Sequence, residues 1–417
     1  MSTSIYNASM KTYRIGGAVR DKLLNYPSHE NDWVVVGASP EEMLNQGFKP
    51  VGRDFPVFLH PETGEEYALA RTERKSGVGY QGFTFHTAKN VTLEEDLKRR
   101  DLTINAMAED SNGHLIDPYS GQQDLEQKVL RHVSPAFTED PLRVLRVARF
   151  AARYHHLGFT IAPETQQLMS HIVDSGELSY LAAERVWKET CRALGESSPD
   201  IYIQVLRNCE ALAALLPEVD CLFGIPQRAD YHPEIDTGLH TLMALQQATR
   251  LSSDPMVRFA TLVHDLGKGA TPVDILPRHI GHETAGVALV NTLCDRLSVP
   301  NNYRKLALAV TEYHLLCHEA LTLKPSTVLK MLKNTSSLKS QQQLENFLLS
   351  CEADARGRTG FEECDYPQAE YLRKAWQAIQ TSDVSDLVER GINGAEIGRQ
   401  LAQRQTAKIS EVKSRYE

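Results

Sequence analysis

The chain has 417 residues, is 41% hydrophobic and 24% charged, and carries a formal net charge of −9. That length suits two or three domains, and the composition is that of an ordinary globular protein rather than a fibrous or low-complexity one. The acidic balance argues against a nonspecific nucleic-acid binder with an overall basic footprint, but it leaves room for a local basic cleft.

No apolar run reaches the roughly 18 residues needed to span a bilayer, so no membrane partner is expected. The opening "MSTSIYNASMKTYRIGG" has no charged start followed by an apolar core, so a secretory signal is not expected and the cytoplasm is the expected compartment. Seven cysteines are scattered (Cys191, Cys209, Cys221, Cys294, Cys317, Cys351 and Cys364) without a CxxC. They read as reduced, buried thiols rather than a disulfide framework or a cysteine-rich zinc site.

The first 135 or so residues mix strand and helix patterns. "TYRIGGAVRDKLL" predicts a strand, a glycine turn and a helix. Gly16 and Gly17 would let backbone N–H groups approach an anion, and Arg20 follows one turn later. "DWVVVG" is a β-branched run, hence a strand. Glu30 and Asp32 at its entrance share one face, because strand side chains alternate. Two such carboxylates suit Mg²⁺, which prefers oxygen ligands, but they equally suit the solvated mouth of a strand. "PEEML" predicts a helix with proline in its first turn. "FPVFLH" and "EEYALAR" predict two strands joined by the turn "PETG". Glu66 begins the second of these and is a candidate third carboxylate of a two-metal site; the adjacent Glu65 faces the other way. "ERKSGVGYQGF" (73–83) has the glycines of a mobile loop. "LKRRDLTINAM" then sets Lys98, Arg99, Arg100 and Asp101 directly against apolar residues and Asn105, which suggests a structured site rather than a solvated face.

After Asp140-Pro141 the texture becomes helical to the end. "EDPLRVLRVARFAARY" is the clearest helix, with Asp140 as a cap and Pro141 at its first position. Arg143, Arg146, Arg149 and Arg153 fall within an arc of about 120° on it, opposite a face of valine, leucine and alanine. Four arginines with no acidic residue among them expect an anion, and their planar forks suit phosphate and base edges. "FGIPQRADYHPEIDTG" reads as a linker before a third module. That module offers His240 in "GLHTLMALQQA", then His264 and Asp265 in "RFATLVHDLGKG", then His282 in "RHIGHETAG". Imidazole and carboxylate together suit a divalent transition metal.

These motifs carry a resemblance. The glycine turn with "AVRD", the paired acids before "WVVVG", "GRDFPVFLH", "EEYALARTERK", "RRDLTINA" and "EDPLRVLRVARF" look like those of the class II CCA-adding tRNA nucleotidyltransferases. Over nearly its whole length, the chain resembles the long bacterial form of that family. The resemblance implies an α+β fold: a polymerase-β-like nucleotidyltransferase head with a mixed sheet, followed by all-α neck, body and tail. It implies a head over 1–139, a neck and body that bind nucleotide and tRNA over 140–225, an HD domain over 226–330, and a helical tail over 331–417. It further implies template-independent addition of C, C and A to the tRNA 3′ end from CTP and ATP, with Mg²⁺. Matched position by position, Glu30, Asp32 and Glu66 correspond to the catalytic carboxylates, the first two holding metal. Gly17 and Arg20 correspond to the triphosphate turn. Arg100 and Asp101 correspond to the motif near the ribose, Asp140 and Arg143 to the pair that reads the base, and Arg146 and Arg149 to further nucleotide ligands. The family usually has Asp where Glu30 stands, which changes the reach of that ligand by one methylene.

The third module looks like an HD-type metal-dependent phosphohydrolase. His240, His264 and Asp265 match its ligands, with His282 as a candidate fourth. Its closing Asp has no evident match, and "TEYHLLCH" offers Glu312 or His314 instead. The resemblance implies 2′,3′-cyclic phosphodiesterase, 2′-nucleotidase and phosphatase activities, with nickel favouring the last. Three other readings stand beside this one: a bacterial poly(A) polymerase-like enzyme, a tRNA-binding HD hydrolase whose head is impaired by Glu30, and a nonenzymatic tRNA chaperone. The sequence leaves monomer and homodimer open.

Overall fold

The computed structural model describes residues 10–27, 31–51, 57–75, 83–86 and 88–416. They form two compact units, one running to Val186 and including Asn208–Ala214, the other made of Trp187–Arg207 and the chain from Leu215 onward. Glu30 and most of the glycine loop expected at 73–83 lie outside the described residues.

The first unit opens with β1 (Lys11–Ile15), α1 (Gly17–Leu23), β2 (Asp32–Val36), α2 (Pro40–Asn45), β3 (Lys49–Val51), β4 (Val57–Leu59) and β5 (Glu66–Leu69). After the hairpin of β6 (Thr72–Lys75) and β7 (Phe83–His86) come α3 (Leu93–Lys98), β8 (Ala108–Glu109), β9 (Leu115–Ile116), α4 (Gly121–Gln127), β10 (Val129–Leu130), α5 (Leu142–Tyr154), β11 (Thr160–Ile161) and α6 (Pro163–Asp174). The helix starts follow from local chemistry. Ser39 accepts from the Glu42 N–H while the Glu42 carboxylate accepts from the Ser39 N–H, and Thr92 and Glu95 repeat this reciprocal cap.

The main sheet has the order β3-β4-β5-β2-β1-β8-β9. Every pairing is antiparallel except that of β2 with β5. Its two faces bury different side chains. Val34 joins Ile15, Ala70, Leu97 and Ala106 on one, and Val35 joins Met43, Phe48, Phe58 and Leu69 on the other. The strands expected at "DWVVVG", "FPVFLH" and "EEYALAR" are present, and so is the turn at Gly64, whose φ of 71° glycine accommodates. The two-residue strands β8 to β11 are too short to show the alternation by which a strand is read.

The chain continues as α7 (Ala183–Leu194), α8 (Pro199–Asn208), α9 (Ala211–Leu215) and α10 (Pro217–Asp220). The second unit then builds on α11 (Thr237–Leu251), α12 (Pro255–Val263), α13 (His282–Arg296), α14 (Asn301–His318), α15 (Pro325–Asn334) and α16 (Gln341–Arg356). Its tail is α17 (Pro367–Gln380), α18 (Ser385–Glu389) and α19 (Gly394–Lys413). Helices α11, α12, α14 and α16 pack on one another, and α13 lies against the turn that follows α12. Asp236 and Asp254 cap the starts of α11 and α12 through the N–H groups of Leu239 and Met256. Among the described residues, no helix is long and apolar enough to cross a membrane.

Candidate active sites

In the head, the parallel register pairs Asp32 with Glu66, so the two carboxylates sit side by side at the mouths of β2 and β5 on one face of the sheet. Both are exposed. Glu65 points to the opposite face, where it accepts from Trp33 Nε1 at 3.1 Å and Asn31 Nδ2 at 2.9 Å, while Trp33 stacks on Tyr67. Two adjacent solvent-facing carboxylates are the hard oxygen donors that Mg²⁺ takes.

Beside β1, Gly16 has φ 64° and ψ −127°. That positive φ is what calls for glycine, and Arg100 Nη1 lies 3.0 Å from where a Cβ would stand. Arg20 is buried against the rings of Phe150 and Tyr154. Its Nε donates to Asp21 Oδ1 at 2.8 Å and its Nη1 donates to Asn105 Oδ1. Asn105 Nδ2 donates to Asp101 Oδ1 at 3.0 Å, and Asp101 Oδ2 accepts from Arg146 Nε at 2.7 Å. Burial works against the charge of Asp101, but Arg146 and the Asn105 amide outweigh it and hold the carboxyl well below the usual aspartate range.

The arginine stripe of α5 therefore faces protein acids and carbonyls. Arg146 pairs with Asp101, and Arg153 with Asp21 at 3.2 Å; Arg143 donates to the carbonyls of Ala136 and Arg99. Arg149 is buried, with its guanidinium 4.5 Å from the Phe150 ring centroid. Asp140 uses both oxygens. Oδ1 accepts from the Leu142 N–H at 3.1 Å, the expected cap, and Oδ2 accepts from Arg185 at 3.0 Å. Arg185 had no distinguishing signal in the sequence.

The second unit gathers a cluster that is almost wholly shielded from solvent. His240 comes from α11, His264 and Asp265 from the end of α12, His282 from the start of α13, His314 from α14 and Asp354 from α16. His240 Nε2 lies 2.9 Å from Asp354 Oδ1, and His264 Nε2 lies 3.4 Å from the same atom. Asp265 turns Oδ2 toward His264 at 3.3 Å and His240 at 3.8 Å, and Oδ1 toward His282 at 3.3 Å and His314 at 3.7 Å. The outer nitrogens are fixed by backbone: Nδ1 of His264, His282 and His314 face the carbonyls of Thr261, His279 and Val310, which directs each Nε2 inward.

Burial disfavours charge on His264, but Asp265 and Asp354 beside it raise its pKa to about 10, and a metal ion bound at Nε2 would displace that proton. Burial pushes His314 down to about 3, so it is a neutral donor. His264 Nε2, Asp265 Oδ1 and His282 Nε2 are buried with no hydrogen-bond partner. Orphaned ligand atoms gathered around Asp265, with two carboxylates and neutral imidazole among them, fit a divalent cation.

Glu312, one of the two sequence alternatives for the closing ligand, is exposed, whereas His314 is buried in the cluster. Asp354 was not foreseen. Its signal was an acid on the apolar stripe of α16, in line with Phe347 and Cys351, where an unpaired charge would be costly. His318 and Lys268 also escaped notice; they contact Asp354 Oδ2 at 2.7 Å and Asp265 Oδ2 at 2.6 Å. The segment read as a linker supplies Glu234, whose Oε1 lies 3.2 Å from His240 Nδ1. A cavity of about 680 Å³ opens onto the cluster, lined in part by Arg228, Tyr231, Arg278 and Arg358. Gly267 is tightly constrained here: a Cβ would lie 1.9 Å from the His282 carbonyl oxygen and 2.6 Å from the Gly286 nitrogen.

Three known families match segments of the chain. Residues 12–131 match the poly A polymerase head domain, residues 158–222 a probable RNA and SrmB-binding site of polymerase A, and residues 237–354 the HD domain. The protein is thus a nucleotidyltransferase that also carries an HD domain. It is 58% identical over 405 residues to the multifunctional CCA protein of Teredinibacter turnerae, covering 97% of this chain and 98% of that one. It is 59% identical over 408 residues to that of Acinetobacter baumannii strain ATCC 17978, covering 98% and 99%. The chain belongs to the multifunctional CCA protein family. In fold it is similar to the Thermotoga maritima CCA-adding enzyme complexed with tRNA, with a TM-score of 0.61 and 22% identity over 98% of this chain and 92% of that one.

Proposed function

We propose that this protein adds and repairs the 3′-terminal CCA of tRNA from CTP and ATP without a nucleic-acid template. The tRNA 3′ hydroxyl attacks the nucleotide α-phosphorus, its proton leaves to solvent or a base, and the bond to pyrophosphate breaks. The observation that carries this is the register of Asp32 with Glu66, two exposed carboxylates presented beside a turn lined by arginine. We assign Glu30 and Asp32 to Mg²⁺ and Glu66 to the same catalytic group. Bound there, Mg²⁺ would sharpen the attacking oxygen and neutralise charge on the departing phosphates. Gly17, Arg20, Arg100 and Asp101 face triphosphate and ribose, and Arg146 and Arg149 hold the nucleotide. Asp140 and Arg143 read the base edge, with Asp140 exchanging Arg185 for the base.

We assign His240, His264, Asp265 and Asp354 to a divalent metal in the HD domain, nickel in preference, where it would activate water against phosphoesters. The donors fall into more than one compact group, His240, His264 and Asp265 in one and Asp265, His282 and His314 in another. Asp265 divides its oxygens between two histidine pairs, so His282 and His314 make room for a second ion. Functionally the chain divides into head (1–139), neck and body (140–225), an HD domain that begins at the expected 226 but runs past the expected 330 to take in Asp354, and a tail after it; the reaction belongs in the cytoplasm with its tRNA and nucleotide substrates.

Incubation of tRNA lacking its CCA with CTP, ATP and Mg²⁺ tests the first reading. The expected product is three nucleotides longer and stops there. A long A tail on generic RNA would instead indicate a poly(A) polymerase. Metal analysis of the purified protein and of the Asp265→Ala variant, alongside hydrolysis of bis(p-nitrophenyl) phosphate, tests the second. The variant should lose both bound metal and hydrolysis while keeping nucleotide addition.

A further inference from the structure

Asn105 closes the short turn Thr103–Asn105 and is 5% exposed. Each of its polar groups is committed. The N–H donates to the Leu102 carbonyl at 2.9 Å, and the carbonyl oxygen accepts from Arg100 Nη1 at 3.4 Å. Oδ1 accepts from Arg20 Nη1, and Nδ2 donates to Asp101 Oδ1, whose other oxygen holds Arg146. Arg20 comes from α1 and Arg146 lies on α5, so one buried side-chain amide holds the first directly and the second through Asp101, while Arg100, after α3, meets only the backbone carbonyl of Asn105 and pairs with Asp96 Oδ2 at 3.3 Å.

The orientation of that amide is forced. A guanidinium offers only donors and a carboxylate only acceptors, so turning the amide over would break both bonds at once. The tethers do not exhaust the arginines. Arg20 Nη2 lies against Gly17, within 3.4 Å of where a Cβ would stand. Arg100 Nη1 lies against Gly16, and Arg100 Nε is buried without a hydrogen-bond partner. Arginine is a long side chain with about 2 kcal/mol of rotamer entropy, so a site that fixes three of them beforehand binds an anion at lower entropic cost.

We propose that Asn105 is a positioning residue whose side chain holds Arg20 directly and Arg146 through Asp101 in one preset geometry beside Arg100, and thereby sets the affinity of the head for the incoming nucleoside triphosphate. This rests on the assignment of those three arginines to the nucleotide site. It makes the affinity for CTP and for ATP depend on one uncharged residue that need not touch either nucleotide.

The test uses the full-length protein and two variants. Asn105→Ala removes both side-chain bonds. Asn105→Asp keeps the volume and the acceptor for Arg20 but sets a carboxylate oxygen against Asp101. Steady-state CMP and AMP addition to tRNA ends, with CTP or ATP titrated, gives KM and kcat. Both variants should raise KM for both nucleotides about tenfold, the scale of one charge-assisted hydrogen bond. Their kcat should fall by less than about threefold. Melting temperature should stay within about 3 °C of the parent, and bis(p-nitrophenyl) phosphate hydrolysis should be unchanged. If both variants keep the parent's KM for CTP and ATP, Asn105 only fills space and the proposal fails. It fails equally if KM holds and kcat alone drops. Should Asn105→Ala not fold, the isosteric Asn105→Asp decides. An unchanged KM in Arg100→Ala and Arg146→Ala would overturn the arginine assignment itself, a result separable from the behaviour of Asn105.

Discussion

In the head, Asp32 and Glu66 stand exposed at two strand mouths, while Arg20, Arg143, Arg146 and Arg153 of the same unit are already engaged by acids, an amide or backbone carbonyls. In the HD domain, His240, His264, Asp265, His282, His314 and Asp354 are all buried, and three of their donor atoms have no hydrogen-bond partner. The first arrangement keeps its acids in water and presets its cations. The second takes both charge types out of water and leaves three ligand atoms without a hydrogen-bond partner. An exposed site tolerates imprecise neighbours because water fills the gaps, whereas a buried one depends on backbone that places each ligand.

The separation is tested most severely by Asp32→Asn. Nucleotide addition should fall by about 10³-fold, the equivalent of roughly 4 kcal/mol of transition-state stabilisation, while hydrolysis of bis(p-nitrophenyl) phosphate is retained. Parallel loss of both activities would break the contrast. Gly267→Ala probes the buried site through backbone alone. Its Cβ collides with the His282 carbonyl, and overpacking of this kind costs about 1–3 kcal/mol. Hydrolysis should drop about 100-fold through displacement of His282, with CCA addition preserved. His318→Ala removes a partner of Asp354 without removing a cluster residue. Metal affinity, measured by calorimetric titration with Ni²⁺, should fall about tenfold or more.

A smaller effect concerns acid stability. The carboxyl of Asp101 lies below its ordinary value of 3.8 in the folded protein. The unfolded chain therefore takes up the proton first, and the stabilisation is complete above about pH 4 and is lost as pH falls toward the folded value. Asp101→Asn should show a flatter acid limb than the parent when urea midpoints are compared across that window. Glu30→Asp should change least, leaving nucleotide addition equal or modestly higher. Its abolition would mean that this site has a geometry of its own.

What the sequence displayed follows the same contrast. Asp32, Glu66 and the opposing Glu65 were legible because strand alternation fixes facing, and the arginine stripe was legible because helical periodicity does the same. The destination of that stripe was not. Whether Arg146 meets solvent or Asp101 depends on how α5 packs against the turn after α3, and no local pattern encodes that. In the HD domain, His240, His264, Asp265 and His282 sit in short recognisable segments. Asp354 arrives from a distant helix with no flanking signature, which is why Glu312 and His314 stood as candidates in its place. Of those two, helix geometry buried His314 and turned Glu312 outward.

The doublet Glu65-Glu66 carries one more consequence. If a residue were inserted in or deleted from the turn before β5, a glutamate could still arrive opposite Asp32, so the acid itself does not specify the strand's frame. That choice falls to the neighbours: Tyr67 stacked on Trp33, and Leu69 in the core with Val35. A slipped strand would keep its carboxylate and turn these residues to the wrong side. The proofreading of the catalytic acid is thus done by greasy residues that never meet the substrate, and a genetic screen for lost nucleotide addition should recover changes at Tyr67 and Leu69 as well as at Glu66.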